Sequence, residues 1–384
     1  MKERAGPVLT GAGLAAAGWA LGSTALLLAG IGIGAAGALS LLWVLAARRV
    51  RVDREVRAGS FVEGERITIA YSLRNGRWLP GTITISDSIG PLALPSLPLR
   101  RGRRGAVAHV TAPRGIHAVG PGRVVADDPF GFSRRDHPAG IGPTLRVRPR
   151  IVELEGTFRD AGRVGDGGRR ARLRSAGTEP HGVREYREGE SLRAVHWASS
   201  ARRGRLMVRE MKEAPHADTH VLVDLDSRCA AGPPGASSVD ELVRIAGSLA
   251  HAELRRGRRV ALVLCGATPV RVVISGLAGD WEAALDALTV AQVAERACTG
   301  DVLRRCETAV VLVSGRSPSV FGDELVRRDV AVVAVDTPTY AGAPRSQADP
   351  SLLRLAARGV PVAIVRSGDA LEPVLSRPRE HARA

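Results

Sequence analysis

Aromatic residues make up only 3% of this 384-residue chain, and lysine occurs only at Lys2 and Lys212. The first scarcity removes the stacking platforms on which a single-stranded nucleic-acid groove relies. The second means that the net charge of +16 is carried almost wholly by arginine. An arginine-for-lysine, alanine- and glycine-rich bias is what a GC-rich genome writes everywhere, whereas a nucleic-acid binder gathers its charge on one face. Anionic lipid head groups are therefore the expected partner of the excess charge, and nucleic acid is not. The four cysteines, Cys229, Cys265, Cys298 and Cys306, form no CxxC pair and no regular disulfide framework, which predicts free, buried thiols in a reducing compartment. Neither lysine follows a glycine, so a P-loop is excluded, and Gly-x-Ser-x-Gly and His-Glu-x-x-His are also missing. Gly11-x-Gly13 falls inside an apolar run, not after a strand. Common nucleotide-hydrolase, α/β-hydrolase, zinc-protease and dinucleotide-binding chemistries thus have no support.

Charge is also missing from Ala5 to Ala47, about twice the ~20 residues that one helix needs to cross ~30 Å of hydrocarbon. The length predicts a hairpin of two spans near 7–25 and 28–47, with the turn among Gly22, Ser23 and Gly30. Gly18-xxx-Gly22 and Gly30-xxx-Gly34 would allow close helix packing, although the same glycines also suit a turn. Lys2 and Arg4 precede the run and Arg48, Arg49 and Arg51 follow it. Cationic flanks at both ends predict a multi-pass protein of the cell membrane with cytoplasmic soluble domains. A signal peptide is the competing reading, with small residues at Ala35-Ala36-Gly37-Ala38, but the apolar core is far too long for one.

Between residues 50 and 150, short alternating runs predict strands at 66–71, 82–85, 106–110 and 145–148, separated by Asn75-Gly76, Pro80-Gly81 and Pro121-Gly122. A β-sandwich is the simplest closure. Asp128-Pro129-Phe130-Gly131 reads as a type I turn. A linker and polar region follow over 151–217. From 218 to 370 the rhythm changes to apolar strands at 221–223, 260–264, 270–274, 309–313, 330–335 and 360–365. These alternate with helices at 238–256, 280–297, 321–328 and 351–358, which predicts a doubly wound, mostly parallel α/β domain. Residues 371–384 read as a tail.

In such a sheet ligands bind at the carboxyl ends of the strands, which selects Asp224, Asp226 and Ser227. Hard oxygen ligands there could hold Mg²⁺, but no cofactor is expected, and any Mg²⁺ binding is expected to be weak. The arrangement resembles the metal-ion-dependent adhesion site of von Willebrand factor A domains, whose first motif is Asp-x-Ser-x-Ser. Asp224 fits, Asp226 replaces the first serine and Arg228 the second. Thr299 matches that family's distal threonine, and Ser314 stands near its last aspartate. The resemblance thus implies a degenerate metal set of Asp224, Asp226, Ser227 and Thr299, with a positive charge at Arg228 where a ligand belongs.

The densest polar run is Gly182-Val183-Arg184-Glu185-Tyr186-Arg187-Glu188-Gly189-Glu190-Ser191-Leu192-Arg193-Ala194-Val195-His196-Trp197-Ala198-Ser199-Ser200-Ala201-Arg202. Ser191 can cap a short helix on which Arg193 and Trp197, four residues apart, would stack. The run resembles the signature of the domain of unknown function 58 family, as do Arg114-Gly115 and Asp128-Pro129-Phe130-Gly131, with Glu190 where the family usually has aspartate. The resemblance implies a membrane anchor, a β-sandwich and a von Willebrand A-like domain. It also implies association with MoxR-type AAA+ ATPases and transglutaminase-like membrane proteins. Arg184, Glu185, Tyr186, Glu190, Arg193, His196, Trp197 and Arg202 then read as a domain junction or a partner-binding surface. Acid–base catalysis by His196 with Glu185 or Glu190 is the third possibility. The resulting expectation is a non-enzymatic adaptor or assembly factor, with a metal-dependent or hydrolytic enzyme as the alternative.

Overall fold

The computed structural model describes residues 6–47, 50–56, 59–75, 81–90, 92–99, 105–158, 179–185, 195–212, 218–276, 279–327, 329–345 and 349–376. The fold is mixed α and β and divides into two compact units, Met1–Arg148 and Pro149–Ala384.

The first unit opens with two helices, α1 (Gly6–Ala20) and α2 (Thr24–Ala47). Glycines allow their backbones to approach closely. A Cβ on Gly30 would lie 2.2 Å from the Ala15 nitrogen, and one on Gly18 would lie 2.4 Å from the Leu27 nitrogen. The expected turn is tighter than read, closing over Leu21, Gly22 and Ser23, with Gly22 at a φ of 59°. Two helices stand where two spans were expected, but they differ in length. Among the described residues only α2 is long and apolar enough to cross a bilayer; the 15 residues of α1 reach only about 22 Å. One face of the last turns of α2 is buried, through Ser40, Trp43 and Ala47, and Val50 continues it. This spacing of three and four residues is that of one helical face.

After α2 come β1 (Arg51–Val56), β2 (Ser60–Val62), β3 (Ile67–Asn75), β4 (Thr82–Ser86), β5 (Ser88–Ile89), β6 (Leu92–Ala93), β7 (Leu97–Leu99) and β8 (Gly105–Val110). They continue with β9 (Gly115–Ala118), β10 (Arg123–Asp127), β11 (Arg134–Pro138) and β12 (Thr144–Arg148). They form small sheets of order β1-β3-β8, β11-β10-β4-β7, β2-β12-β9 and β5-β6. Every second side chain turns inward: Ile67, Ile69, Tyr71 and Leu73 on β3, Ile83 and Ile85 on β4, Val124 and Ala126 on β10, and Leu145 and Val147 on β12. These residues share one core with Trp43, Ala47 and Val50. Inside the unit, the Arg54 Nε lies 2.8 Å from Asp87 Oδ2, and Tyr71 donates to the same oxygen at 2.7 Å. Burial, with the hydrogen bond to Asp87 adding to it, pushes the Tyr71 hydroxyl well above its usual range. Gly122 makes room for this guanidinium, because a Cβ there would meet Arg54 Nη2 at 2.4 Å.

The second unit contains a two-stranded sheet of β13 (Glu179–Glu185) and β14 (Met207–Lys212), with a helix at Trp197–Arg203. Beyond it lies a six-stranded sheet built from β15 (Thr219–Asp224), β16 (Val260–Cys265), β17 (Pro269–Ile274), β18 (Ala309–Ser314), β19 (Val330–Val335) and β20 (Val362–Val365). The order is β17-β16-β15-β18-β19-β20, parallel except for the edge strand β17. Both faces are covered. Val221, Val223, Leu262, Leu264, Val311 and Val313 join one apolar cluster, while Leu222, Ala261, Val263, Val310 and Leu312 join another. That is why these strands read as unbroken apolar runs.

Helix Ser238–Arg255 starts with a capping box in which Asp240 N–H donates to Ser237 Oγ at 3.1 Å and Ser237 N–H to Asp240 Oδ2 at 3.3 Å. The helix expected over 280–297 stops at Val290. Its continuation is diverted because Ala294 N–H donates to the Leu225 carbonyl and its own carbonyl accepts from Ser227 N–H, both at 2.8 Å. The expected tail begins with a helix, Leu371–Leu375, whose two end leucines are buried in the core.

Arg54→Leu should strand the buried Asp87 charge and cost about 3–5 kcal/mol of stability. Arg54→Leu with Asp87→Leu should recover a measurable part of that loss in urea or thermal unfolding of the detergent-solubilised chain.

Candidate functional site

The carboxyl end of β15 places Asp224 at the centre of the parallel sheet, fully buried, with Asp226 just beyond it and also buried. A lone buried carboxylate is costly. Here it is surrounded by donors. Thr299, at the start of helix Thr299–Arg305, donates its hydroxyl to Asp224 Oδ1 at 2.7 Å, and Ser314, the last residue of β18, donates to Oδ2 at 2.6 Å. Arg316, two residues further on, lays its guanidinium along the carboxylate, with Nε to Oδ2 at 2.6 Å and Nη2 to Oδ1 at 2.8 Å. The Arg316 side chain is 8% exposed and that of Asp224 0%. The same guanidinium reaches Asp226 through Nη1 at 3.2 Å and lies 5.0 Å from the centre of the Phe321 ring.

Asp226 has a second arginine. Arg228 clamps it from the solvent side, with Nε to Oδ1 at 2.7 Å and Nη2 to Oδ2 at 2.9 Å. Ala297 N–H also donates to Oδ2 at 3.2 Å. The side-chain hydrogen bonds from Arg228, outweighing burial, hold the Asp226 carboxyl well below the usual carboxylate range. Cys229 points its thiol at Asp224 Oδ2 at 3.6 Å; burial and then the Asp224 charge push that thiol up to about 12, so it is inert as a nucleophile at neutral pH. All four cysteines are free.

The sequence-derived metal set is thus brought together only in part. Asp224 and Thr299 meet, Asp226 joins them through Arg316, and Ser227 turns away to the Glu295 carbonyl at 3.2 Å. The residues do not fit Mg²⁺. A guanidinium occupies the face of Asp224 that a cation would need, and both carboxylates have arginine counterions. Among the described residues no three His, Cys, Asp or Glu side chains converge as a metal set. Arg316 was missed in sequence because it lies 92 positions from Asp224. Its only local signal was an arginine two places after a strand whose end faces the same edge.

The second group of candidates lies near residue 200. His196 and Trp197 begin the helix Trp197–Arg203, so the turn starts later than the Ser191 cap predicted. Ser200 is the anchor: its hydroxyl accepts from Met207 N–H at 2.8 Å, while His196 N–H donates to the Met207 carbonyl at 2.7 Å. These bonds tie the helix to β14. His196 Nδ1 lies 2.8 Å from Ser199 Oγ, Glu185 pairs with Arg205, and Trp197 is 66% exposed. Arg184 lies on β13, and Arg202 is exposed in the last turn of the helix. Tyr186, Glu190, Ser191 and Arg193, and with them the expected Arg193–Trp197 stack, lie outside the described residues.

Removing Arg316 should be more damaging than removing both charges. Arg316→Met leaves Asp224 buried and uncompensated, at a cost of about 3–5 kcal/mol; Arg316→Met with Asp224→Leu should cost less in a double-mutant cycle. Millimolar Mg²⁺ should leave the melting temperature of the native chain unchanged. Asp226 adds an acid limb. Its folded-state pKa is depressed, so its stabilisation is present above the unfolded value of about 4 and is lost as pH falls below it. Asp226→Asn should flatten stability against pH in that acid window, measured by thermal unfolding.

Residues 182–292 match the family described as "Protein of unknown function DUF58". No curated protein matches the chain. Among solved structures, the chain is similar to the PmoD soluble domain from Methylocystis sp. ATCC 49242 (Rockwell), at 11% identity over 26% of this chain and 90% of that one, with a TM-score of 0.18. It is also similar to Cwp6 from Clostridium difficile, at 9% identity over 74% of this chain and 37% of that one, with a TM-score of 0.19. Both likenesses are too slight to inform fold or function. The family match covers β14, the helix that carries His196 and Trp197, and the Asp224 strand end, so the similarity to that family extends over residues 182–292.

Proposed function

We propose that this chain is a membrane-anchored, non-enzymatic adaptor whose α/β unit presents a metal-independent recognition edge. One observation carries the reading: every oxygen of the Asp224 carboxylate is already satisfied from within the chain by Arg316, Ser314 and Thr299. A site so completed has no open position for substrate activation, but it holds the strand-end loops rigidly for contact with another protein.

The finer architecture belongs to the same proposal. Close glycine packing of α1 on α2 supports a membrane hairpin, and the cationic residues that flank it in sequence support cytoplasmic soluble units. Small sheets sharing one core support a β-sandwich, and the strand order around β15 supports a von Willebrand A-like unit. The partners are those of the family resemblance, a MoxR-type AAA+ ATPase and a transglutaminase-like membrane protein. Trp197 and Arg202 are the contact residues, since an exposed indole and an exposed arginine on one short helix are the types of anchor that interfaces favour. Arg184, Glu185, Tyr186, Glu190, Arg193 and His196 are assigned to the same role from the sequence motif alone, and Tyr186, Glu190 and Arg193 lie outside the described residues.

The hydrolytic alternative has one observation in its favour, the 2.8 Å His196–Ser199 contact. That contact lies within one helical turn, and the Glu185 carboxylate that would orient the imidazole is engaged by Arg205. Trp197→Ala and Arg202→Ala in the full chain should leave the melting temperature within a few degrees yet reduce co-purification of a co-expressed MoxR-type ATPase about tenfold or more. Turnover of an ester or peptide by the purified chain, lost on His196→Ala, would overturn the adaptor reading.

A further inference from the structure

The turn Asp128–Ser133 carries two aromatic side chains that the core does not use. Phe130 and Phe132 stack on one another with ring centres 6.2 Å apart, and they are 49% and 40% exposed. Two exposed phenylalanines side by side are a notable expense in a chain with only five. The turn itself is firmly built: Gly131 N–H donates to the Asp128 carbonyl at 3.2 Å, and Ser133 N–H donates to Asp128 Oδ1 at 3.0 Å.

Its position is fixed against α2. Ser40 Oγ donates to Ser133 Oγ at 2.6 Å, and both residues are buried. At the other end of β11, His137 lies close to the backbone of Ala47, and the strand and α2 are in direct contact. From Ser133 to His137 the strand therefore runs beside the last two turns of α2. Ser40 is seven residues before Ala47, so the Phe130–Phe132 turn lies about 10 Å back along the helix from its end. A helix of 24 residues is about 36 Å long, only ~6 Å more than the hydrocarbon thickness. If α2 spans the bilayer, this turn cannot stay in bulk water. It must lie in the headgroup and upper acyl region, level with the exposed Leu41, Leu42 and Leu45 of α2.

The flanking charges suit that depth. Arg134 and Arg135 follow the turn directly, and the Arg134 side chain, paired with Asp127 at 2.7 Å, is 67% exposed. Their stems can lie along apolar surface while the guanidinium groups reach lipid phosphate. We propose that the Phe130–Phe132 turn is a second membrane contact of this protein, a wedge seated beside α2 in a bilayer that contains anionic phospholipid. The inference rests on α2 as the membrane anchor, so the test reports on the two separately.

The full chain is reconstituted into phosphatidylcholine vesicles containing phosphatidylglycerol and lipids spin-labelled near the headgroup. An environment-sensitive fluorophore is attached at Phe132→Cys, at Phe130→Cys, or at Leu42→Cys on α2, and labelling of the unsubstituted chain sets the background of the four native cysteines. All three side chains are exposed, so each variant should fold, with a melting temperature within a few degrees of the parent. The expected result is a blue-shifted emission at all three positions, with about half or more of it quenched by the spin label. Quenching at Leu42 with water-like, unquenched emission at both phenylalanine positions would overturn the wedge and leave the anchor standing. Water-like emission at all three would remove the anchor and the wedge together.

Discussion

A carboxylate at the centre of a parallel sheet can exist only if its charge is matched in place, and in the α/β unit the guanidinium of Arg316 does this for Asp224. Removal from water is costly for either ion alone, and good geometry with full hydrogen bonding offsets it. Both conditions hold: the pair is bidentate, and the remaining lone pairs of Asp224 accept from Thr299 and Ser314. The same arginine, through Asp226, holds the segment after β15 against the loop at Ala297. Three separate stretches of chain are thereby fixed at one sheet edge.

Arginine suits this duty better than lysine. Its planar fork spans both oxygens of one carboxylate while a third nitrogen reaches a second, and it stays charged when buried. The β unit repeats the arrangement with Arg54, Asp87 and Tyr71, a buried guanidinium, a carboxylate and a hydroxyl. The arginine bias of the composition is thus partly structural, and not only a surface charge waiting for a polyanion. An internal cation also changes the chemistry of the strand end. Arg316 occupies the face of Asp224 that a metal ion would need, and it reaches Asp226 as well.

Much of the α/β unit was legible in sequence because buried strands and an amphipathic helix have strong periodicity. Val330–Val335 and Ser238–Arg255 were bounded within a residue or so of where they lie. The β unit was less legible. Arg51, Asp53, Arg54 and Glu55 make β1 look polar, and Arg54 faces inward to Asp87 instead of outward to solvent. β11, Arg134–Pro138, shows no apolar alternation because its edge is held by ion pairs of Arg134 with Asp127 and of Arg123 with Asp136. In the candidate site, the Asp224 strand end and Thr299 were legible from their places at the ends of elements, while the helix start at Trp197 was displaced by the hydrogen bonds that His196 and the Ser200 hydroxyl make with the Met207 backbone.

By itself the sequence determined the long uncharged N-terminal run, the alternation of apolar strands with helices, the lack of common catalytic motifs and the family signature near residue 190. These are local properties, set by hydrophobic period, turn chemistry and residue type within a window of a few residues. Only the tertiary structure decided which cation faces Asp224, which arginine is buried at Asp87, and which turn lies beside α2. Each of those depends on residues from distant parts of the chain meeting in space, and a charge that is costly alone becomes stable only when its partner arrives.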